Sequence, residues 1–155
     1  MTGSMDLLNK LRDSWHWVMD GAYALDRLNK EWRFPGSQDL VNSLQSATYQ
    51  LQMIILEEAD KLRGIISPKY FRVGTFKQVL HTVIQGRCYL EDIFNLTKWS
   101  FVKKCQDNMK KGEDLMRQIL KEEVKKIKEI WKKEKKGPRK PKKRKKTLKN
   151  STETG

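Results

Sequence analysis

Apolar residues recur at three- and four-residue steps along four segments of this chain. The segments run from Asp6 to Trp32, from Gln38 to Arg63, from Thr75 to Ser100 and from Phe101 to Lys136. Such spacing lines one face of an α-helix with apolar side chains. No stretch alternates between apolar and polar residues as a strand would, and short connections favour antiparallel neighbours. The pattern predicts an all-α protein: an up-down-up-down four-helix bundle with an extended last helix and a disordered basic C-terminal tail.

Glycine and proline mark the ends of the first two helices. Phe34-Pro35-Gly36 stops the first helix, because the residue before a proline avoids the helical region. Ser37 then follows as the predicted N-cap of the second helix. Gly64, with Pro68 shortly after it, stops the second helix.

The connections around the third helix are less regular. The segment Ile65–Gly74 is too short for another long helix and is predicted to be a loop. Thr75 and Gln78 have the spacing of a capping box, which would start the third helix. Lys98-Trp99-Ser100 is its predicted last turn, and Ser100 is also a candidate cap for the fourth helix. Three side chains of the loop are available to a partner: Lys69, Tyr70 and Arg72.

The fourth segment carries most of the positive charge. Residues 121–149 hold 16 Lys and Arg against 4 Asp and Glu, a local charge of +12 within a chain of +14. A helix from Phe101 to Lys136 would be about 54 Å long, beyond the diameter of a small bundle, so its end is expected to project. A near-neutral body with a cationic arm predicts binding to polyanions, with nucleic acid ahead of an anionic membrane surface. A charge run that only solvates the helix is the plain alternative, and repulsion among like charges disfavours it.

The pattern divides the chain into three parts. Met1–Ser4 resembles a remnant of cloning ahead of a native Met5, so residues 1–5 are set apart, residues 6–131 form the bundle and residues 132–155 form the tail. Two prolines and a dense block of charge prevent a packed core in the tail, which predicts disorder. Its cations are predicted to contact phosphates without reading bases. These predicted nucleic-acid-binding residues are Lys132, Lys133, Lys135, Lys136, Arg139, Lys140, Lys142, Lys143, Arg144, Lys145, Lys146 and Lys149.

No residues have the spacing of a catalytic or metal site. His16 and His81 are far apart, and the isolated glycines form no phosphate-binding loop. Adjacent acids point in different directions on a helix and are expected to be solvated. His81 lies on or beside the apolar stripe and is expected to be a hydrogen-bonded structural residue. We therefore predict a protein that is not an enzyme and holds no metal or cofactor. The adjacent acids are Glu57-Glu58, Glu91-Asp92 and Glu113-Asp114.

Cysteine usage and targeting patterns bear on the compartment. Cys88 and Cys105 fall at apolar positions of helices, which predicts buried free thiols in a reducing compartment. The chain shows no secretory segment and no apolar run of the roughly 18 residues that a membrane span needs. We predict a cytoplasmic protein that neither spans nor binds a membrane. Pro141–Lys146 also fits a nuclear-import signal, so the nucleus is the alternative.

The five tryptophans are many for this length. Trp17 is out of phase with the apolar stripe and is expected to be exposed, as a contact with another subunit or a platform for base stacking. The subunit contact is the favoured role. The tryptophans in apolar phase are expected to form core or oligomer contacts: Trp15, Trp32, Trp99 and Trp131.

Several short motifs resemble one known family. The first helix contains Trp, and Phe34-Pro35-x-Ser37-Gln38 leads into a second helix that begins Leu40 to Ala47. Further matching positions are Phe76, Leu80, Gly86, Leu90-Glu91, Gly112-Glu113 and Leu115-Met116. Over about Asp6 to Lys121, the chain resembles the four-helix-bundle family of bacterial 23S rRNA intervening-sequence proteins, whose relatives include the accessory variability determinant proteins of diversity-generating retroelements.

The resemblance implies a role as well as a fold. It implies a barrel-like homo-pentamer that binds structured RNA and assists a reverse transcriptase, with no catalysis of its own. Members of the family often have a basic C-terminus, as residues 121–149 do here.

Two other functions are compatible with the sequence. One is a helical domain that docks a protein partner, with the basic tail serving only for nuclear import. The other is a polybasic adaptor at a membrane surface, which would need apolar anchors near the basic block. Leu148 is the one such residue inside that block.

Overall fold

The structure is a computed structural model that describes residues 2–67 and 70–135. It contains α1 (Thr2–Trp32), α2 (Ser37–Leu62), α3 (Val73–Thr97) and α4 (Ser100–Lys135), and the described residues include no strand. Successive helices run antiparallel, α1 packs against α2, and α2 packs against α3. The predicted all-α, up-down-up-down four-helix bundle is confirmed. The predicted disorder of the tail from residue 136 onward lies outside the described residues.

Helix α1 begins at Thr2, four residues before the predicted start at Asp6. Residues 2–5, which the sequence set apart, are helical as well and precede the buried Leu7 and Leu8. Their origin as a cloning remnant stays a prediction.

The junction between α1 and α2 differs from its predicted form. Gly36, with φ of 76°, is the N-cap of α2, and Ser37 is already the first helical residue. The Ser37 hydroxyl donates a hydrogen bond to the Phe34 carbonyl oxygen at 2.7 Å and also contacts the side-chain oxygen of Asn29. The prediction of Ser37 as N-cap was therefore wrong, because its buried side chain joins the end of α1 to the start of α2.

Helix α2 ends in the glycine motif that the sequence predicted. Gly64 adopts φ of 75°, and its backbone amide donates a hydrogen bond to the Lys61 carbonyl oxygen at 3.1 Å. The backbone amide of Ile65 donates a hydrogen bond to the Asp60 carbonyl oxygen at 3.0 Å, which completes a Schellman motif. Leu62 is exposed at this helix end.

The connection before α3 carries a core residue that the sequence did not reveal. Phe71 is buried, and its ring lies edge-on to Phe76 with 5.1 Å between centroids. Helix α3 starts at Val73 with Arg72 as its N-cap, so Thr75 and Gln78 lie inside the helix and the predicted capping box was wrong. Burial of Phe71 positions the chain for an earlier helix start. Among the side chains predicted to be available in this loop, Lys69 lies outside the described residues, and Arg72 Nη1 approaches Glu57 Oε1 at 3.9 Å.

Helices α3 and α4 are separated by Lys98 and Trp99, which were predicted to belong to the last turn of α3. Lys98 has φ of 58°, a left-handed conformation that ends the helix. The Trp99 backbone amide donates a hydrogen bond to the Thr97 hydroxyl oxygen at 3.2 Å. Ser100 is the first residue of α4. Trp99 packs 5.0 Å from Trp32 and 5.6 Å from Phe101 between ring centroids, and both partners remain about half exposed.

Small residues allow α1 and α4 to approach closely. A Cβ atom on Gly112 would lie 2.6 Å from Val18 Cγ2, and one on Gly21 would lie 2.8 Å from Met109 Cε. Met109 and Val18 are fully buried, so this crossing lies in the core.

The chain divides into two compact units, the first ending at Glu123 and the second beginning at Val124. The sequence had placed the end of the bundle after residue 131. Residues 132–135, which the division into three parts had assigned to the tail, are helical, as the helix predicted from Phe101 to Lys136 requires. Lysine and glutamate are good helix formers, and the first helix-breaking residue is Gly137, which agrees with a helix that continues to Lys135.

Candidate nucleic-acid interface

Two exposed lysines of α4 have carboxylate partners within the first unit. Lys103 Nζ lies 3.1 Å from Asp107 Oδ1, and Lys110 Nζ lies 3.1 Å from Asp114 Oδ1. Both pairs are four residues apart, the spacing at which helical side chains meet. Each exposed pair contributes little to stability, but it cancels the charge that a polyanion would otherwise meet.

Lysines of the second unit are arranged differently. Residues 124–135 are helical and hold six lysines against two glutamates. Lys125, Lys128 and Lys132 follow one another at three- and four-residue steps, which puts them on one face over about 10 Å of helix axis. All three are exposed, and no ion pair reaches them within the described residues. We call Lys125, Lys128 and Lys132 the lysine face.

The opposite side of the same segment is apolar. Ile127 is partly buried, whereas Ile130 and Trp131 are exposed. Glu129 stands on the flank of the lysine face and lowers its net charge. The segment is therefore a basic amphipathic helix.

The sequence-predicted binding residues are placed only in part. Lys132 and Lys133 are exposed on α4, and Lys135 is the last residue of that helix. The remaining predicted residues lie outside the described part of the chain: Lys136, Arg139, Lys140, Lys142, Lys143, Arg144, Lys145, Lys146 and Lys149.

Sequence reasoning left Lys125 and Lys128 out of the candidate site. It counted them in the basic block but began the site at Lys132, where the tail was expected to start. Their three- and four-residue spacing in step with Lys132 was visible in the sequence and could have identified them. Which lysines are paired with acids was not visible, because it depends on side-chain placement.

A buried carboxylate lies between α3 and α4, where the sequence predicted a solvated one. Glu113 is 1% exposed and accepts hydrogen bonds from Arg87 Nε at 2.7 Å and Arg117 Nε at 2.8 Å. Burial alone would raise the pKa of Glu113, but the hydrogen bonds from Arg87 and Arg117 outweigh it and lower that pKa. The same contact with Glu113 raises the pKa of Arg87. A carboxylate held ionised in this way is suited to joining helices and unsuited to donating a proton.

A second expected surface acid is also buried. Glu58 is 7% exposed, and its Oε2 lies 2.6 Å from Lys61 Nζ one turn later in α2. The expectation that adjacent acids are solvated was wrong for Glu58 and Glu113, because each has a cation within reach. It holds for Asp92 and Asp114, which are exposed.

The cysteines and His81 also depart from their predicted environments. Both thiols are free, but Cys88 is exposed and only Cys105 is partly buried. Burial raises the pKa of the Cys105 thiol. His81 is exposed, and the hydrogen bond predicted for it is present, with its Nε2 at 3.3 Å from Gln85 Nε2 on the next turn.

Trp17 is partly buried, whereas the sequence predicted an exposed ring. Lys111 Nζ lies over its ring at 4.3 Å from the centroid, and His16 approaches it with 5.6 Å between ring centroids. An ammonium over an aromatic face is a favourable cation–π contact. One face of Trp17 is therefore occupied within the chain.

The described residues were also searched for metal sites and for helices that could span a membrane. No group of three or more His, Cys, Asp or Glu side chains that could hold a metal ion occurs in residues 2–67 and 70–135. Within the same ranges, none of the helices combines the length and apolar character that crossing a membrane requires.

Comparisons with protein-family models, with curated proteins and with solved structures found no match to this chain.

Proposed function

We propose that this protein binds nucleic acid through the lysine face of α4 and the basic residues after it. Its preferred ligand is structured RNA, with DNA as the second candidate, and it acts without catalysis of its own. The observation that carries the proposal is a row of three exposed lysines on one face of α4 that have no acidic partner among the described residues. Lys103 and Lys110 have carboxylate partners, whereas Lys125, Lys128 and Lys132 have none among the described residues.

Unpaired lysines favour phosphate binding for a physical reason. A phosphate that approaches Lys103 or Lys110 must compete with an aspartate already 3.1 Å away. At the lysine face, phosphate contact breaks no ion pair and releases counterions from the nucleic acid. The net free energy of each contact is therefore more favourable at the lysine face.

The proposed contacts are with the backbone of the nucleic acid. Lysine ammonium groups bind phosphates as point charges and carry no sequence information. Affinity should depend strongly on salt and weakly on base sequence. The basic residues beyond Lys135 add to the same interaction, since their charges have the same sign and follow directly in the chain.

The biological setting that we propose follows from the family resemblance of the motifs. On that basis the protein is a cytoplasmic homo-oligomer that assists a reverse transcriptase, and a pentamer is the assembly that the resemblance implies. These finer statements rest on the motifs Phe34-Pro35-x-Ser37-Gln38 and Gly112-Glu113.

The proposal is tested by replacing the lysine face with glutamine. The variant Lys125→Gln/Lys128→Gln/Lys132→Gln should bind a fluorescent RNA hairpin roughly tenfold to a hundredfold more weakly at 0.1 M salt, if each lysine contributes on the order of 0.5–1 kcal/mol. The matched control is Lys77→Gln/Lys103→Gln/Lys110→Gln, which removes the same charge from exposed positions elsewhere. Equal loss in the two variants would show that only net charge matters and would contradict the proposed site.

The basic residues after α4 are tested by truncation. A chain that ends at Lys136 should lose most RNA binding while its circular dichroism remains that of a helical bundle. Unchanged affinity of the truncated chain would exclude the tail from the site. A full-length chain that ignores RNA at low salt would instead favour the protein-docking function, with the tail serving for nuclear import.

A further inference from the structure

The end of the bundle where α1 stops and α4 starts carries a cluster of aromatic side chains. Trp32 is the last residue of α1, Trp99 lies between α3 and α4, and Phe101 is in the first turn of α4. The centroids of these three rings lie 5.0 to 5.9 Å apart. Phe34 adds a fourth ring, 6.3 Å from Trp99 between centroids. We call these four residues the aromatic end.

The rings of the aromatic end are only partly covered by the chain. Trp32 is 46% exposed and Phe101 is 45% exposed. The ring planes of Trp99 and Phe101 differ by 16°, and those of Trp32 and Phe101 by 32°. A flat ring placed on the exposed part would therefore extend a stack that already exists. Stacking of unpaired bases on aromatic side chains is a common way for proteins to bind single-stranded nucleic acid.

Two cations border the aromatic end, and both have an unusual backbone conformation. Arg33 directly follows Trp32 and has φ of 51°. Lys98 directly precedes Trp99 and has φ of 58°. These are the two non-glycine residues with positive φ in the described part of the chain, and glycine or asparagine adopts that conformation more easily. The helix dipole favours a cation near a helix C-terminus, but glycine would ease the backbone there. A basic residue at both positions places positive charge beside the rings despite the less favourable conformation.

The charge around the aromatic end favours an anionic ligand. Residues 30–39 and 93–106 together hold five Lys and Arg against two Asp and Glu, a net charge of +3. The whole chain outside residues 121–149 has a net charge of only +2, so positive charge is concentrated at this end of the bundle. Of the two acids, Glu31 already has an arginine partner at 3.5 Å, and Asp39 lies in the first turn of α2.

We infer that the aromatic end binds unpaired bases of an RNA loop, with Arg33 and Lys98 on the adjoining phosphates. No ion pair reaches either cation within the described residues, so a phosphate displaces no carboxylate there. Arg33 and Phe34 also line an open cleft of about 640 Å³, which leaves room for the sugar–phosphate chain beside the rings. The inference rests on the proposed binding of RNA and names the part of the RNA that is recognised, since bases in a paired stem are already stacked within it.

Other occupants fit the aromatic end less well. A membrane anchor inserts separate apolar side chains into the bilayer, whereas these rings pack on one another. A protein partner would have to supply acids for Arg33 and Lys98, whereas RNA carries a phosphate at every nucleotide. Packing of bundles side by side, as in the ring proposed above, covers their sides and leaves this end accessible.

The first test removes bases and keeps phosphates. The full-length wild type is titrated, at one salt concentration, with an RNA hairpin and with the same hairpin carrying abasic nucleotides throughout its loop. The intact hairpin should bind roughly fivefold to a hundredfold more tightly, the range expected for stacking one base on an aromatic side chain. Trp32→Ala/Phe101→Ala should abolish this preference. Tyr23→Ala/Tyr49→Ala, which removes two rings that are more exposed, should retain it.

The second test removes the two cations without disturbing the fold. Asparagine tolerates positive φ, so Arg33→Asn/Lys98→Asn should have a thermal unfolding midpoint close to that of the wild type. Its affinity for the intact hairpin should fall roughly fivefold to thirtyfold. Arg12→Gln/Lys77→Gln removes the same charge from exposed helical positions and should stay close to the wild type.

The outcomes separate this inference from the proposed function. A wild type that binds the intact and the abasic hairpin equally well would overturn the inference and leave the lysine face as the RNA site. A preference for the intact loop that Trp32→Ala/Phe101→Ala retains, or equal losses in the two charge variants, would also overturn it. A wild type that binds neither hairpin would overturn the proposed function together with the inference.

Discussion

At the scale of single residues, the carboxylate of Glu113 joins two helices, although the sequence does not distinguish it from the surface acids around it. Glu113 stands beside Asp114 in a run of charged residues, yet Glu113 is buried between Arg87 and Arg117 and Asp114 is exposed. In the sequence, Glu113 and Asp114 differ only in the direction that each faces around the helix axis. The guanidinium that decides the difference belongs to α3, 26 residues earlier in the chain.

The Glu113 contact predicts a large difference between two neighbouring substitutions. Glu113→Gln should lower the free energy of unfolding by roughly 3 kcal/mol, because it removes the buried carboxylate that accepts from both Arg87 and Arg117, and Arg87 keeps only Glu91 Oε1 at 3.2 Å. Asp114→Asn removes an exposed pair with Lys110 and should cost less than about 1 kcal/mol. Urea unfolding at pH 7 measures both. Equal costs for the two variants would show that the buried contact does not stabilise the fold.

The same residue predicts a dependence on pH. The pKa of Glu113 is lower in the folded chain than its ordinary value of 4.5, so its stabilising contribution is full above about that pH and is lost as the pH falls through the folded pKa. The wild type should therefore lose more stability between pH 7 and pH 3 than Glu113→Gln does. Parallel pH profiles of the two proteins would contradict this assignment.

At the scale of the helices, α1 and α4 approach closely because glycine stands at their crossing. A methyl group on Gly112 would meet Val18 Cγ2 at 2.6 Å and the Val18 backbone nitrogen at 3.3 Å, and a backbone atom cannot move aside as a long side chain can. Gly112→Ala should lower the free energy of unfolding by about 1–3 kcal/mol through overpacking. Gly74→Ala is the control, because no atom lies near its added methyl group. It should be neutral or stabilising by up to about 1 kcal/mol in thermal unfolding.

Helix number and order could be read from the sequence, whereas helix ends often could not. The three- and four-residue spacing is a property of each helix alone, so four helices were predicted and four are present. Ends depend on tertiary contacts that no local motif records. Ser37 has the chemistry of a cap but bonds back to α1, and Phe71 draws the start of α3 ahead of the Thr75 motif. The stop at Gly64 was correct because a left-handed glycine needs no distant partner.

At the scale of the whole molecule, composition predicted the sign and the region of the charge but not which lysines are available. Residues 121–149 were visible as a basic block in the sequence. The pairing of Lys103 with Asp107 and of Lys110 with Asp114, and the lack of such pairs at Lys125 and Lys128 among the described residues, required side-chain positions. The candidate site therefore begins earlier along α4 than the sequence indicated.

The most direct test of nucleic-acid binding through the lysine face is the salt dependence of RNA affinity. Each phosphate contact contributes about 0.7–0.9 to the slope of log affinity against log salt concentration. If Lys125, Lys128 and Lys132 each contact a phosphate, replacing all three with glutamine should make the slope shallower by roughly 2–3. The Lys77→Gln/Lys103→Gln/Lys110→Gln control should retain the wild-type slope. An unchanged slope in the lysine-face variant would contradict the proposed interface.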